Sequence, residues 1–176
     1  MKQKRQGTIQ VYTGNGKGKT TAALGLALRA LGHGMKVLMV QFMKGSKKYG
    51  EVQIASKLPG FTLRQYGRNR FVKKGMPDPV DIELAQRGLN FVRRAIRSSK
   101  YDIIILDEAN VAVDYGLINP AELLEIARNK PDSLELVFTG RGAPRELINI
   151  ADTVSEVKEI KHHYRKGIPA RAGIEY

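Results

Sequence analysis

The sequence predicts an α/β fold, with a mostly parallel sheet of about six strands and helices on both of its faces. Short apolar, β-rich runs alternate with helical patterns, as in sheets whose strands are joined by helical crossovers. The middle runs are nearly continuous Val, Ile and Leu, which is typical of strands buried on both faces. Because 176 residues with 42% hydrophobic content suffice for one core, we expect residues 1–176 to form a single domain.

The predicted strands and helices follow in order along the chain. The strands are the apolar runs at 8–12, 36–42, 61–66, 101–106, 134–139 and 153–160. An Ala- and Leu-rich helix is predicted over 20–31, with Gly32 as the residue that ends it. Asp78-Pro79 and Asn119-Pro120 each read as an N-cap followed by a first helical residue. These signals predict helices from 79 to about 96 and from 120 to about 129, and 144–150 is a candidate short helix.

Composition limits the classes of protein that the chain can belong to. The absence of cysteine excludes disulfides, thiolate zinc sites, iron–sulfur clusters and a cysteine nucleophile. No apolar run reaches the roughly 18 residues of a membrane span, and the charged start Met1–Gln6 lacks the apolar stretch of a secretory signal. We therefore expect a cytoplasmic protein without a membrane partner. The net charge of +13 indicates an anionic partner, which leaves nucleotides, nucleic acids, acidic proteins and anionic small molecules open.

A glycine-rich loop between the first predicted strand and helix is the strongest functional signal. Its residues are Thr13-Gly14-Asn15-Gly16-Lys17-Gly18-Lys19-Thr20-Thr21. In such a phosphate loop, glycines let backbone N–H groups face phosphate oxygens, and the helix N-terminus adds positive potential. Lys19 would supply a point charge to phosphate, and the Thr20 hydroxyl would ligate Mg²⁺. The pattern predicts a nucleotide-binding fold of the P-loop, RecA-like kind.

The spacing of this loop departs from the usual G-x-x-x-x-G-K-[ST] pattern. Thr13 stands where the first glycine is expected, so the loop from Gly14 to Gly18 is one residue short. It also carries an additional lysine, Lys17. We expect the loop to hold phosphates in a different register from that of ordinary ATPases.

Two acids follow the predicted strand 101–106. Asp107-Glu108 occupy the place where a carboxylate meets Mg²⁺ in phosphate-loop proteins, directly or through water. The sequence does not separate the roles of the two acids. One of them could equally orient an attacking water.

Several basic residues are further candidates for anion binding. Arg29 lies on the first predicted helix, and Arg141 follows a predicted strand at the edge where ligands bind in such sheets. The segment 52–77 contains bases and no acid, and either docks an anion or is simply solvated. Its basic residues are Lys57, Arg64, Arg68, Arg70, Lys73 and Lys74, with Tyr66 and Phe71 interleaved. His162 and His163 are interpreted as surface residues.

The residues alone leave three function classes open. A RecA-like ATPase acting on nucleic acid fits the charge and the acidic pair, although the chain contains no recognisable nucleic-acid module. A small kinase would need an arginine-rich lid and an acceptor site, and the segment after Gly67 could serve. In the third class, a transferase uses ATP to donate something other than its γ-phosphoryl group.

The third class gains weight because the sequence resembles the ATP:corrinoid adenosyltransferases of the CobA/BtuR/CobO type. The resemblance covers residues from about 8 to 176. The matching segments are 13–23, 32–34, 40–45, 106–108, 139–142, 151–156, 161–162 and 173–176. The short phosphate loop with Asn-Gly-Lys inside it is itself the variant of this family.

The resemblance implies a reaction and a set of residues for it. The family transfers the 5′-deoxyadenosyl group of ATP to Co(I) of a corrinoid and releases triphosphate, in adenosylcobalamin synthesis or salvage. ATP binds in a reversed sense, so the phosphate loop would stabilise the leaving triphosphate. Lys19 and Glu108 are the implied catalytic residues, and Thr20 and Glu108 the implied ligands of Mg²⁺, with Mn²⁺ as the alternative metal. The implied ATP-binding residues are Gly14, Asn15, Gly16, Lys17, Gly18, Lys19, Thr20, Thr21, Arg29 and Arg141.

The resemblance also implies a corrinoid-binding segment and partners. Well-known members carry an aromatic pair that displaces the lower ligand of Co(II), whereas this chain has Arg68 and Arg70 at the matching positions and Phe71 one residue later. These three residues are the implied corrinoid contacts. A reduced flavodoxin-like electron donor, which is acidic, would suit the basic surface, and members are commonly homodimers. No specific nucleic-acid partner is implied.

Overall fold

The computed structural model describes residues 6–176 and has the predicted α/β architecture. The six strands are β1 (Ile9–Thr13), β2 (Val37–Phe42), β3 (Phe61–Tyr66), β4 (Ile103–Asp107), β5 (Glu135–Thr139) and β6 (Thr153–Glu156). They form one sheet in the order β3-β2-β4-β5-β1-β6, and every neighbouring pair is parallel. The predicted fold class is therefore confirmed. Most of the charged start of the chain, on which the cytoplasmic expectation rests, lies outside the described residues.

In the described part of the chain, six α-helices connect or follow these strands. They are α1 (Lys19–Gly32), α2 (Gly50–Ala55), α3 (Pro79–Arg97), α4 (Ala109–Asp114), α5 (Pro120–Arg128) and α6 (Arg145–Ile150). The predicted caps are confirmed: the Asp78 side chain accepts from Val80 N–H, and the Asn119 side chain accepts from Ala121 N–H. Within residues 6–176, every helix is too short or too polar to cross a membrane.

Two predicted ends are wrong. Gly32 belongs to α1, and the left-handed residue that follows the helix is Gly34, with φ of 73°. Strand β6 ends at Glu156 rather than near residue 160, because Val157 continues into contacts with the phosphate loop. The Val157 carbonyl accepts a hydrogen bond from Gly16 N–H at 2.7 Å.

The core has two parts, one on each face of the sheet. Alternate residues of each central strand belong to opposite parts, as the period of two along a strand requires. Leu38 and Ile104 pack with α3 to α6, whereas Met39 and Ile105 pack with α1 and α2. Burial on both faces explains why these strands are continuously apolar.

All strands are parallel, so their carboxyl ends lie at one edge of the sheet. The loops after β1, β2, β4 and β5 meet there, which is where ligands bind in such sheets. Two non-glycine residues at this edge have left-handed backbone, Met43 with φ of 59° and Glu108 with φ of 60°. This conformation costs about 1–2 kcal/mol for an L-residue, and such strain clusters at functional sites.

Gly16 is a position where the phosphate loop tolerates no side chain. A Cβ at Gly16 would lie 2.7 Å from the carbonyl oxygen of Lys158 and 2.8 Å from that of Val157. Because backbone atoms must shift to relieve this contact, we expect Gly16→Ala to lower the free energy of unfolding by about 1–3 kcal/mol in urea denaturation.

The matched control for this prediction is Gly25→Ala, in the middle of α1. A Cβ there meets no atom within 4 Å, and helix propensity favours alanine by about 0.5–1 kcal/mol. Gly25→Ala should therefore be as stable as the wild type or more stable. A Gly16→Ala protein with wild-type stability would contradict the close approach.

Candidate active site

The phosphate loop joins β1 to α1, and its glycines shape it. Gly14 and Gly18 have φ of 92° and 119°, values that favour glycine. The buried Lys19 side chain folds back over the loop, and its Nζ donates to the Gly16 carbonyl at 2.6 Å. Burial lowers the pKa of Lys19, with a further lowering from Arg141, and Glu108 opposes both effects. The lysine charge is thus held at the phosphate loop.

Asp107, at the end of β4, is a fully buried hydrogen-bond acceptor at the centre of the site. Its Oδ1 accepts from the Oγ1 atoms of Thr20 and Thr139 at 2.8 and 2.7 Å. Its Oδ2 accepts from Lys44 Nζ at 2.7 Å and from Gln41 Nε2 at 3.2 Å. The carboxylate therefore ties together α1, β2, the loop after β2 and β5. This arrangement assigns Asp107 to organising the site.

The neighbouring acid, Glu108, lines the cavity described below, which Asp107 does not. It precedes α4 in the left-handed conformation, and its N–H donates to Thr139 Oγ1 at 3.1 Å. Burial, and next the Asp107 carboxylate, raise the pKa of Glu108, while Lys44, Lys19 and Arg141 partly offset that rise. The geometry separates two acids that the sequence did not: Asp107 organises the site and Glu108 faces the cavity.

Lys44 is a site residue that the sequence analysis did not single out. Burial alone would lower the pKa of Lys44, but the carboxylates of Asp107, Glu108 and Glu51 raise it overall. The strained turn at Met43 places the lysine beside the acids. Its position directly after the strand β2, at the edge where ligands bind, was the available signal.

One cavity of about 750 Å³ joins these residues. From the phosphate loop and α1 it is lined by Gly16, Lys17, Gly18, Lys19, Thr20, Thr21 and Leu24. Lys44, Glu108 and Arg141 line it from the ends of β2, β4 and β5. Gly14 and Asn15 do not line the cavity, and Gly14 instead lies against Val157. Most of the predicted nucleotide-binding residues are thus brought to one place.

The oxygen donors at the cavity fit a magnesium ion. Thr20 donates its hydroxyl proton to Asp107 and accepts a long hydrogen bond from Lys44 Nζ at 3.5 Å, which leaves one oxygen lone pair for a cation. Glu108 supplies a carboxylate. Residues 6–176 contain no group of three or more His, Asp or Glu that could hold a metal by itself. Mg²⁺ commonly takes one or two protein oxygens and completes its shell with substrate phosphates and water. Thr20 and Glu108 satisfy that requirement.

The structure does not bring Arg29 to the cavity. Arg29 is exposed in the last turn of α1, ten residues after Lys19. A helix rises 1.5 Å per residue, so the two residues are separated by roughly 15 Å along the axis. The predicted contact between Arg29 and phosphate remains a prediction.

Arg68, Arg70 and Phe71 lie outside the lining of the cavity, on the segment after β3. Arg68 makes a two-pronged contact with Asp81, and Arg70 pairs with Asp78, so both arginines bind the beginning of α3. Phe71 is fully exposed. The two arginines hold the segment in place, and Phe71 is an exposed apolar residue on it, as is Met76.

The last part of the described chain forms a wall of the cavity that the sequence did not predict. Lining residues from this part are His162, His163, Tyr164, Ala170, Gly173, Ile174, Glu175 and Tyr176. The two histidines, interpreted from the sequence as surface residues, stack with ring centroids 4.5 Å apart. The only sequence signal was the motif resemblance at 161–162 and 173–176.

A parallel α/β sheet with a phosphate loop, an adjacent acidic pair and a cationic cavity at one edge defines a P-loop nucleotide-binding protein. The family model of the ATP:corrinoid adenosyltransferases BtuR/CobO/CobP matches residues 5–176. The chain therefore belongs to the ATP:corrinoid adenosyltransferase family, as the resemblance predicted.

Curated relatives agree with the family model. The corrinoid adenosyltransferase of Escherichia coli strain K12 is 36% identical over 99% of this chain and 88% of its own length. Those of Sinorhizobium sp. and Salmonella typhimurium are also 36% identical, over 97% and 99% of this chain and 81% and 88% of their own lengths. Membership of this family confirms the predicted transferase class, and no comparison favours an ATPase that acts on nucleic acid.

Proposed function

We propose that this chain transfers the 5′-deoxyadenosyl group of ATP to Co(I) of a corrinoid and releases triphosphate. The observation that carries the proposal is one cavity shared by the phosphate loop, Glu108 and Arg141. Lys19, Lys44 and Arg141 place three cationic side chains at this cavity, where a triphosphate needs them.

The transfer step requires the protein to position the reactants and stabilise charge, and it requires no general base. A cobalt electron pair forms the Co–C bond at C5′, the C5′–O bond breaks, and its electron pair leaves on the triphosphate. No proton moves in this step. The chain contributes by holding the reacting atoms in line and by stabilising the negative charge that develops on the leaving oxygens. Lys19 and Glu108 are the proposed catalytic residues.

Thr20 and Glu108 would hold Mg²⁺, or Mn²⁺ in its place, and the bound ion would neutralise charge on the triphosphate. Asp107 orients the Thr20 hydroxyl toward that role through the 2.8 Å hydrogen bond. We propose that ATP binds with its γ-phosphate where other phosphate-loop proteins hold an inner phosphate. The loop that is one residue short supports this reversed register.

We propose that Phe71 contacts the corrinoid and that Arg68 and Arg70 hold its segment. An exposed phenylalanine on a segment fixed by ion pairs can displace a lower cobalt ligand without losing its own position. The partner that reduces Co(II) is proposed to be a flavodoxin-like protein, for which the charge of +13 offers attraction. A cytoplasmic homodimer in which residues 1–176 act as one domain completes the proposal.

Phe71→Ala should separate the reduction step from the transfer step. With cob(II)alamin and reduced flavodoxin we expect a rate about tenfold lower, because the lower ligand is no longer displaced by the ring. With chemically reduced cob(I)alamin the rate should stay within about twofold. Met76→Ala, at another exposed apolar residue of the same segment, is the control and should change neither rate. Equal losses with both corrinoids would contradict this role of Phe71.

The proposed function is tested by anaerobic incubation of the protein with Mg²⁺-ATP and chemically reduced cob(I)alamin. We expect loss of the Co(I) absorbance, a light-sensitive Co–C product and an equal amount of triphosphate. Failure with both cobalamin and cobinamide, together with ADP release stimulated by DNA or RNA, would overturn the transferase and favour a RecA-like ATPase. DNA binding alone does not decide, because the positive charge gives salt-sensitive binding in either case.

A further inference from the structure

The C-terminal segment, residues 162–176, forms one wall of the cavity that the phosphate loop and the strand ends also line. It begins with the stacked histidines and a 3₁₀ turn at His163–Lys166, and it ends in a turn closed by a hydrogen bond from Gly173 N–H to the Tyr176 carbonyl at 2.7 Å. Its side chains are largely exposed, so packing into the core does not hold it.

Lys17 connects this segment to the phosphate loop. Its Nζ lies 3.6 Å from Glu175 Oε1 and donates to the Ile174 carbonyl at 3.5 Å. The two contacts join residues that are 157 and 158 positions apart in the sequence. The additional lysine of the short loop therefore anchors the wall as well as carrying charge.

Glu175 makes most of the polar side-chain contacts at the end of this segment. Its carboxylate accepts from Arg171 N–H at 2.8 Å and from the Arg171 guanidinium at 3.1 and 3.2 Å, and His163 Nε2 lies 3.6 Å away. The hydrogen bonds from Arg171 lower the pKa of the Glu175 carboxyl to about 2. The Glu175 carboxylate is therefore ionised at neutral pH and can pair with Lys17.

The chemistry of the cavity divides between its walls. The phosphate loop, Lys44 and Arg141 supply cations, which suit a triphosphate. The C-terminal segment groups the aromatic and apolar side chains of Tyr164, Ile174 and Tyr176 on one wall, and Tyr49 and Tyr115 line the cavity elsewhere. Such a surface suits a purine base, because bases stack favourably on aromatic side chains. ATP bound through its triphosphate must place its nucleoside elsewhere in the same cavity.

We propose that the C-terminal segment is the nucleoside-binding wall of the ATP site, held in place by the Lys17–Glu175 ion pair. The inference rests on the proposed binding of ATP and adds the part of the chain that recognises the base. Inorganic triphosphate shares only the phosphates with ATP. The segment should therefore contribute to the affinity for ATP and not to the affinity for triphosphate.

The test compares two ligands on two proteins by calorimetry in the presence of Mg²⁺. A variant that lacks residues 170–176 loses one arginine and one glutamate, so its net charge is unchanged. We expect its Kd for ATP to rise about tenfold, as the loss of one stacking surface predicts. Its Kd for triphosphate should stay the same or fall, because Lys17 is released from Glu175.

Two full-length variants complete the design. Glu175→Gln should weaken ATP binding by about two- to fivefold, the usual effect of one exposed ion pair, and speed hydrogen exchange in residues 168–176. Glu159→Gln is the matched control, because Glu159 pairs with Arg165 of the same segment at 2.6 Å but does not line the cavity. It should change neither affinity.

Three outcomes would overturn the inference. Equal loss of ATP and triphosphate affinity would mean that the segment acts on the phosphate loop alone. Unchanged ATP affinity with a raised KM for cob(I)alamin would assign the wall to the corrinoid, and unchanged values for both would remove the segment from binding. A wild-type protein that binds ATP but transfers nothing would overturn the proposed function and leave the nucleoside wall standing.

Discussion

Asp107→Ala should destabilise the protein by about 3–5 kcal/mol, the range observed when one partner of a buried ion pair is removed. The variant leaves the Lys44 ammonium without its 2.7 Å partner and removes the acceptor of Thr20, Thr139 and Gln41. Each donor that then remains unsatisfied adds to the cost. For a chain of this size we expect a fall in Tm of about 10 °C, measured by thermal denaturation.

The control for this prediction is Glu125→Ala on α5. Glu125 is exposed and pairs with Arg93 at 3.4 Å, so its loss should change the free energy of unfolding by less than about 1 kcal/mol. A double variant, Asp107→Asn with Lys44→Met, removes both charges together and should recover part of the lost stability. Wild-type stability of Asp107→Ala would contradict the organising role assigned to this carboxylate.

Glu108→Gln should act in the opposite way, with a large loss of activity and no loss of stability. Glutamine keeps the shape but removes the carboxylate proposed to hold the metal against the leaving triphosphate. We expect kcat with cob(I)alamin to fall by roughly 10²–10³, the range seen when one preorganised electrostatic contact to developing charge is lost. The Mg²⁺ dependence of ATP binding should weaken in the same variant.

The stability of Glu108→Gln follows from the pKa of the carboxyl. Burial raises that pKa above its value in the unfolded chain, so the ionised form costs folding free energy at neutral pH. Glutamine removes this cost, and the variant should unfold at the same or a higher denaturant concentration. A variant that loses activity and stability together would assign Glu108 to the structure rather than to the metal.

The core of the fold could be predicted because buried parallel strands leave a direct mark on the sequence. The runs around Val37–Phe42 and Ile103–Asp107 are apolar at every position because both faces of the sheet are covered. Helix α3 could also be predicted, because Asp78 and the proline that follows it form an N-terminal cap signal. Helices α2 and α4 were missed because each has six residues, no side-chain N-cap and no proline at its start, whereas the equally short α6 follows Pro144.

The site was only partly predictable, because several of its contacts depend on the strand order. Lys19, Thr20 and the acidic pair follow from motifs, but the division of roles between Asp107 and Glu108 depends on Thr139, which β5 brings alongside β4. The ion pair between Lys17 and Glu175 joins residues 158 positions apart in the sequence, and no local pattern encodes it. The corrinoid contacts of Arg68 and Arg70 stay predictions, and their ion pairs with Asp81 and Asp78 were not predicted because they depend on where α3 packs.

The strand order also bears on how the protein assembles during synthesis. Strand β1 pairs with β5 on one side and with β6 on the other. Because β1 is made before both partners, it cannot pair in the sheet until β5 and β6 have been synthesised. The loop after β1 rests on Val157 and Lys158 as well. Until those residues have been made, the nascent chain has no formed nucleotide site. We expect ATP to have no affinity for ribosome-bound chains that end before residue 158, and to bind only after the final strand has docked.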